Sequence, residues 1–463
     1  MQFNNITSDL INDYTEQILD RVSKVYDSIA AINPKSDGSV PTSDLSFKTI
    51  LQPLIDVSIE LTAQYCIVRN MSSFHTDKAV REASIQGKKR LADFNIECNM
   101  RNDVYNVIKS YYDEYYPKEK DSLTTEQCRY VERTMKQYRR NGLYLNNPEI
   151  KVLKQTISSL EIEFLNNINE DNTKFVFSKS ELEGLPESWF HESKLVSNTT
   201  DVNSADVVDP DPKYTVTLKY PDYVPIVDYC RNEQVRKQLY IAYNSKCSES
   251  NDNILNQLIY NKDKLARMLG YQSHAHYAIE DKMAKTPEYV HEFIDGLIAG
   301  LDQTLIKEHD ELTSFTRDLI ANPEYDLQRW DTRYYTRLYK ESKFNLDMEE
   351  MKQYFPLQKV LKGMLTIYET LLGLKFVAIE TDNKWHESVS LYHVFNQDDT
   401  ENKSLIGMFY LDLYPRDGKF NHAAMFKFVT GCIKPDGSRQ IPIATMACNF
   451  PEHECMSFDD VMT

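Results

Sequence analysis

The chain of 463 residues is long enough for roughly two or three domain-sized units. Its hydrophobic content of 41% and aromatic content of 11% exclude an intrinsically disordered chain. The 53 basic and 70 acidic residues leave a net charge of −17. This balance argues against nucleic acid and anionic membranes as partners, because neutralising phosphates requires a basic surface. The composition therefore predicts a globular protein with neither kind of partner.

The cysteines and the N-terminus indicate the compartment. Eight cysteines are scattered without a Cys-x-x-Cys pair, a pattern that indicates free thiols in a reducing compartment. No apolar run approaches the roughly 18 residues that span a bilayer. Asp9, Asp13 and Glu16 precede the first arginine, which is unlike a signal peptide or an acid-poor transit peptide. We therefore expect a cytoplasmic protein.

Most of the chain shows the apolar spacing of helices. In the first third this spacing predicts helices over 1–32, 46–70, 77–116, 124–141 and 149–169. Asn141-Gly142 is a favourable helix end. Residues 33–45 and 198–212 read as loops, and 170–222 mixes turn signals with strand-like alternation. Helices return over 224–300, where Thr286-Pro287 marks a helix start because Thr suits the N-cap and Pro the first helical position.

Two short apolar runs near the C-terminus, at 406–413 and 441–450, predict strands, because Gly, Pro and Asn bound them. The second run is apolar on both alternations, which predicts cover on both faces of its sheet. Ser457, with Asp460 three residues later, predicts a helix start in the last residues of the chain. The predicted fold is therefore mainly α, with a small antiparallel sheet near the C-terminus.

Several segments resemble the thimet oligopeptidase, neurolysin and saccharolysin family of zinc metallopeptidases. They are FYLDLYPRDGKFNHA at 409–423, IPIATMACNF at 441–450 and MSFDDVMT at 456–463. RRNGLYL at 139–145 and the stretch at 265–294 extend the resemblance over nearly the whole chain. The resemblance implies two helical lobes that face each other across a deep channel, a zinc cofactor, and short peptides as substrates. It further implies an N-terminal helical region at 1–180 and, at 181–463, the N-terminal part of the peptidase catalytic domain, truncated before the zinc-binding helix.

In this family the segment that matches SFDDVMT leads directly into a helix that bears the zinc-binding HExxH motif. We therefore expect that the chain is incomplete and that its C-terminal strands lack part of their cover. Two His at i and i+4 bind the metal, and the Glu between them acts as the general base. Four of the ten histidines precede Glu: His191, His291, His386 and His453. The residues four positions further on are Leu195, Asp295, Ser390 and Ser457, so none completes the motif.

The nearest imitation of a zinc site is His291 with Asp295, since Asp can bind zinc. The resemblance places this pair on a scaffold helix, with Phe293, Ile294 and Leu297 in the core. His274 and His276 are two positions apart and face different directions on a helix. His453, Cys455 and Cys448 form only a weak candidate cluster. We therefore predict no catalytic residue and no bound metal in this chain by itself.

Arg416 is the candidate for substrate binding. It follows the strand at 406–413 in LDLYPRDG, where Pro, Asp and Gly predict a turn, so a structural role for Arg416 is the alternative. In zinc peptidases the substrate backbone adds to a sheet edge beside the metal. The 406–413 run is a candidate for part of that wall, although the sequence does not identify the edge strand.

Three hypotheses about function follow. The chain is the front part of a zinc oligopeptidase that acts on short peptides and is inactive alone. Alternatively, it is one half of a two-chain enzyme whose metal-bearing half is a separate C-terminal partner. The third hypothesis is a non-catalytic peptide-binding or regulatory protein derived from a peptidase.

Overall fold

The computed structural model describes residues 2–32, 45–169, 171–196, 210–345, 347–450, 455–456 and 458–462. The predicted helix cap at Ser457, the candidate ligand His453, and most of the predicted loops at 33–45 and 198–212 lie outside these residues. Among the described residues, no helix combines the length and apolar content that crossing a membrane requires.

Helices dominate the described chain. The first nine α-helices are α1 Ser8–Ala30, α2 Phe47–Ile50, α3 Gln52–Glu60, α4 Thr62–Asn70, α5 Lys78–Asn99, α6 Asn102–Ser110, α7 Tyr116–Glu119, α8 Thr125–Asn141 and α9 Pro148–Asn169. They are followed by α10 Tyr220–Tyr229, α11 Glu233–Asn244, α12 Ser248–Met268, α13 His274–Ile279, α14 Pro287–Ile320, α15 Thr332–Phe344, α16 Met348–Lys352, α17 Leu357–Leu372 and α18 Phe458–Met462. A π-helical turn, Tyr111–Tyr115, joins α6 to α7.

The strands are β1 Lys174–Ser178, β2 Lys213–Thr217, β3 Leu374–Ile379, β4 Ser390–Asn396, β5 Gly407–Asp412, β6 Ala424–Val429, β7 Cys432–Ile433, β8 Arg439–Gln440 and β9 Ile443–Ala447. Five of them form one sheet in the order β3-β4-β5-β9-β6. The prediction of a mainly helical chain with a small sheet near the C-terminus is confirmed. The sheet is mixed, because β5 and β9 run parallel while the other neighbours are antiparallel.

Two local start and stop signals act as the sequence predicts. Gly142 ends α8 in the left-handed conformation, with φ +81°, a backbone geometry that costs glycine little. Thr286 caps α14, and its side chain accepts a hydrogen bond from the backbone N–H of Tyr289. Pro287 then occupies the first helical position.

The chain forms two compact units. Unit 1 comprises Met1–Ser159, Asn261–Tyr271 and Lys352–Thr463, and unit 2 comprises Leu160–Tyr260 and Gln272–Met351. The family-based division at 180/181 and the channel between two lobes stay predictions.

In unit 1 the five-stranded sheet has a large core on one face. This core combines α1 to α8 with inward side chains of the sheet, including Leu391, Tyr410 and Phe428. Phe3, just before α1, contacts the sheet, with its ring centroid 4.9 Å from Phe428 and 5.2 Å from Tyr410. The N-terminal helices therefore pack against one face of the sheet.

The opposite face of the sheet has a second core. Leu411 and Leu413 on or just after β5, and Cys448 after β9, are buried there with Leu357 of α17 and Met456. Both faces of the β5–β9 pair therefore have cover, as the apolar alternation predicts. The expectation that the C-terminal strands lack part of their cover is wrong for this pair. That cover ends at the edge strand β6, where Met425 is exposed.

Unit 2 has its own core and a buried ion pair. The hairpin-like pair β1–β2 packs with α10 and α11 through Val216, Ile226 and Leu239. Arg236 of α11 and Asp331, which precedes α15, are both buried, with Arg236 Nη2 2.5 Å from Asp331 Oδ1. This ion pair joins α11 to the start of α15.

Candidate functional site

The five-stranded sheet of unit 1 has two edges, β3 and β6. The predicted strand at 406–413 corresponds to β5, which lies inside the sheet between β4 and β9. It can therefore contribute to a wall but cannot receive an added strand. One of the two edge strands, which sequence reasoning did not identify, is β6; among the described strands it pairs only with β9.

The backbone of β6 presents hydrogen-bonding groups away from the sheet. The carbonyl of Lys427 accepts a hydrogen bond of 3.0 Å from Asn70 Nδ2 of α4 rather than from β9. Because successive backbone groups of a strand point to opposite sides, the N–H and C=O of Met425 also face away from β9. Phe426 and Phe428 pack inward against the core beside Phe74, with ring centroids 4.7 and 6.1 Å away. The strand is thus anchored through its phenylalanines and open along part of its edge.

A buried ion cluster holds the turn between β5 and β6. Asp412, the last residue of β5, is completely buried, and its carboxylate accepts hydrogen bonds from Arg416 at 2.6 and 2.7 Å. Trp385 Nε1 donates a third hydrogen bond at 2.8 Å. Lys419 Nζ lies 2.8 Å from the same carboxylate and also donates to the backbone carbonyls of Tyr414 and Cys448. The cluster therefore ties the turn to the ends of β5 and β9.

The opposite charges in this cluster oppose the effects of burial on the pKa values of Asp412 and Lys419. Burial alone would raise the pKa of Asp412, but the hydrogen bonds and positive charges of Arg416 and Lys419 outweigh it and hold that pKa below its usual value. Burial lowers the pKa of Lys419, and the negative charge of Asp412 opposes this effect. Burial also raises the pKa of the neighbouring Cys448 thiol to about 11, so this thiol is protonated at neutral pH.

Arg416 lies in this cluster. Besides binding Asp412, its Nη2 donates a hydrogen bond of 2.8 Å to the backbone carbonyl of Phe74, which links the turn to the N-terminal helices. Arg416 Nε is buried without a hydrogen-bond partner among the described residues. These contacts agree with the structural alternative for Arg416, and its role in substrate binding stays a prediction.

Sequence reasoning did not find the partners of Asp412 and Arg416. Trp385 and Lys419 complete the cluster, and Trp385 precedes Asp412 by 27 positions. The only local signal is the number of charged residues in a short turn between two apolar strands, and a solvated turn produces the same signal.

The candidate metal ligands in the described part of the chain do not come together as a cluster of three. His291 and Asp295 are exposed on α14. His276 of α13 contacts Ser273 Oγ through Nδ1 at 2.9 Å and Glu288 through Nε2 at 3.4 Å. Within the described ranges, no three His, Cys, Asp or Glu side chains are placed to hold a metal ion. The described residues therefore do not fit the zinc that the family resemblance implies.

Comparison with known proteins identifies the class. The model of Peptidase family M3 matches residues 226–463, which is more than half of the chain. Saccharolysin from Saccharomyces cerevisiae is 33% identical over 452 residues, which cover 95% of this chain and 60% of saccharolysin. Thimet-like oligopeptidase from Dictyostelium discoideum is 30% identical over 408 residues, which cover 85% of this chain and 59% of the relative. Oligopeptidase A from Escherichia coli is 26% identical over 420 residues, which cover 88% of this chain and 59% of the relative.

The chain therefore belongs to Peptidase family M3, and the family prediction from the sequence is confirmed. The chain spans about 60% of the length of the curated relatives that it matches.

Proposed function

We propose that this chain is the peptide-binding scaffold of a zinc-dependent oligopeptidase that hydrolyses short peptides. The zinc ligands in this proposal belong to the portion of the M3 relatives that the chain does not match. Membership of Peptidase family M3 supports the proposal, as do the names of the relatives, which include two oligopeptidases. Because none of its histidines completes an HExxH motif, the chain alone is proposed to be inactive.

The feature that carries this proposal is the edge strand β6. An extended peptide can add to an exposed sheet edge through main-chain hydrogen bonds, and alternate side chains then give specificity. The outward N–H and C=O of Met425 offer such hydrogen bonds, and its side chain is exposed. The ion cluster around Asp412 holds the turn that leads into β6, so the edge is supported before a peptide binds. A preformed edge reduces the ordering cost of binding.

The thiols support cytoplasm as the proposed compartment. All eight cysteines lie in the described part of the chain, and each is a free thiol. Free thiols of this number agree with a reducing environment.

The test joins the full chain to the portion of saccharolysin that it does not match, in one fusion protein. We expect the fusion to cleave a quenched fluorescent peptide of about ten residues, whereas the chain alone does not. In the fusion, Met425→Pro should raise KM roughly 2- to 10-fold, since a lost hydrogen bond is worth about 0.5–1.5 kcal/mol. This proline removes an N–H that no neighbouring strand uses.

Met425→Val is the matched control, because it keeps the backbone N–H and should leave KM close to that of the parent fusion. A fusion that binds the peptide without cleaving it would favour the non-catalytic binder. Equal KM values for Met425→Pro and Met425→Val would contradict peptide addition at β6.

A further inference from the structure

One long segment of unit 2 has no cover. Every residue of α14 from 291 to 310 is exposed, around the full circumference of the helix. Burial begins only in its last turns, at Thr313 and Thr316. An isolated helix is marginal in water, and most helical stability in proteins comes from packing an apolar face. The exposed part of α14 lacks that packing within the described residues.

The exposed segment is amphipathic. Large apolar side chains, each 45% to 64% exposed, lie along it: Tyr289, Phe293, Ile294, Leu297, Ile298, Leu301, Leu305 and Ile306. At 100° per residue, all but Ile306 fall on one half of the helix circumference. Glu292, Asp295 and Asp302 lie on the other half. We call the half that carries Leu297 and Leu301 the apolar face of α14.

The family resemblance places Phe293, Ile294 and Leu297 in a core, and the structure leaves all three exposed. The amphipathic pattern is therefore present, but the surface that should cover it is not among the described residues. Contiguous apolar surface of this kind usually marks an interaction site. Gly296 and Gly300 have no neighbouring atom within 4 Å of an added Cβ, so a second backbone could approach closely there.

We propose that the apolar face of α14 is the docking surface for the portion of the M3 peptidase that this chain does not match. The inference rests on the proposed function, because it assigns the missing partner of that scaffold to a particular helix. The partner is a polypeptide that presents an apolar, helix-compatible surface, since this half of the helix carries no charged side chain from 289 to 306, and Glu308 falls on it only beyond that stretch.

Other occupants fit less well. The polar half of α14 carries Glu288, Glu292, Asp295 and Asp302, and such an acidic surface is repelled by anionic lipid. The longest segment of this chain outside the description, 197–209, contains Asp201, Asp206 and Asp209 and is shorter than the exposed segment of α14. By contrast, the chain covers only 60% of saccharolysin, so the relatives contain ample polypeptide to cover the face.

The test measures hydrogen exchange of residues 291–310 in the chain alone and in the fusion with the unmatched portion of saccharolysin. We expect fast exchange in the chain alone and exchange that is roughly tenfold slower or more in the fusion. The double variant Leu297→Glu/Leu301→Glu should abolish the slowing. Ala299→Glu, an added charge on the opposite half of the same helix, should preserve it. Neither change should alter the melting temperature of the chain alone, because the replaced side chains are exposed.

Two results of the exchange measurement would overturn the inference. Equal exchange in the fusion and in the chain alone would mean that the face is not covered by this portion. Slow exchange in a dimer of the chain alone, lost in Leu297→Glu/Leu301→Glu, would assign the face to a second copy. The activity of the fusion, measured in parallel, separates this inference from the proposed function. Cleavage without protection of α14 contradicts only the docking surface, whereas protection without cleavage contradicts only the proposed enzyme.

Discussion

Asp412→Asn should destabilise unit 1 by about 3–5 kcal/mol, the range expected when one partner of a buried ion pair is removed. The asparagine keeps the shape of the side chain but removes the negative charge that faces Arg416 and Lys419. Both cations would then remain buried, with Lys419 completely enclosed. Loss of the carboxylate also weakens the hydrogen bond from Trp385.

Urea unfolding followed by tryptophan fluorescence checks this expectation, because Trp385, one of the three tryptophans, contacts the altered group. Asp417→Asn is the matched control, since Asp417 lies in the same turn but is exposed, and it should change stability by less than about 0.5 kcal/mol. A loss for Asp412→Asn as small as that for Asp417→Asn would show that the turn tolerates an uncompensated charge, against the role assigned to Asp412.

The same cluster predicts a pH dependence. The pKa of Asp412 is lowered in the folded protein, so its contribution to stability is present above the ordinary pKa of the carboxyl and is lost as the pH falls through the folded value. The stability difference between the parent protein and Asp412→Asn should therefore shrink below about pH 4. A difference that stays constant down to pH 2 would mean that the charge of Asp412 is not the source of the effect.

Arg236→Met should destabilise unit 2 by a similar amount, about 3–5 kcal/mol. Arg236 donates to Asp331 at 2.9 and 2.5 Å and to the backbone carbonyl of Cys230 at 2.7 Å. Its guanidinium also lies 4.2 Å from the ring centroid of Tyr334. Methionine leaves Asp331 charged and fully buried, with Tyr325 as its remaining side-chain donor.

Two further variants decide the cause of that loss. Arg333→Met removes the partner of Asp228 in a more exposed pair, and it should cost at most about 1 kcal/mol. Arg236→Met/Asp331→Leu removes both buried charges and should recover part of the stability that Arg236→Met loses. Urea unfolding of all three variants gives the comparison. A double variant less stable than Arg236→Met would assign the loss to packing rather than to an unpaired charge.

The sequence predicts local structure well where a short-range pattern determines it. Apolar residues at helical spacing predict α1, and the bounding Gly, Pro and Asn residues predict β5 and β9 within a few residues of their ends. The two-sided apolar pattern of 441–450 also predicts cover on both sheet faces correctly. These signals act within a few residues of each other, so no tertiary information is needed to read them.

Contacts between residues far apart in the chain could not be predicted from the sequence. The parallel pairing of β5 with β9 depends on the path of the intervening chain through β6, which periodicity does not encode. Trp385, which precedes β4, and Asp412, at the end of β5, are hydrogen-bonded although 27 positions separate them. The amphipathic pattern of α14 predicts that one face of the helix is covered. It does not indicate whether the covering residues belong to the same polypeptide.

Zinc content tests the central claim most directly: this chain supplies a scaffold, and the metal ligands belong to the unmatched portion of the family. After rinsing with a chelator, metal analysis of the 463-residue chain should find no stoichiometric zinc, because no two of its histidines have the required spacing with Glu between them. The fusion with the unmatched portion of saccharolysin should hold one zinc per chain after the same treatment. One tightly bound zinc in the 463-residue chain alone, lost in His291→Ala, would contradict the account.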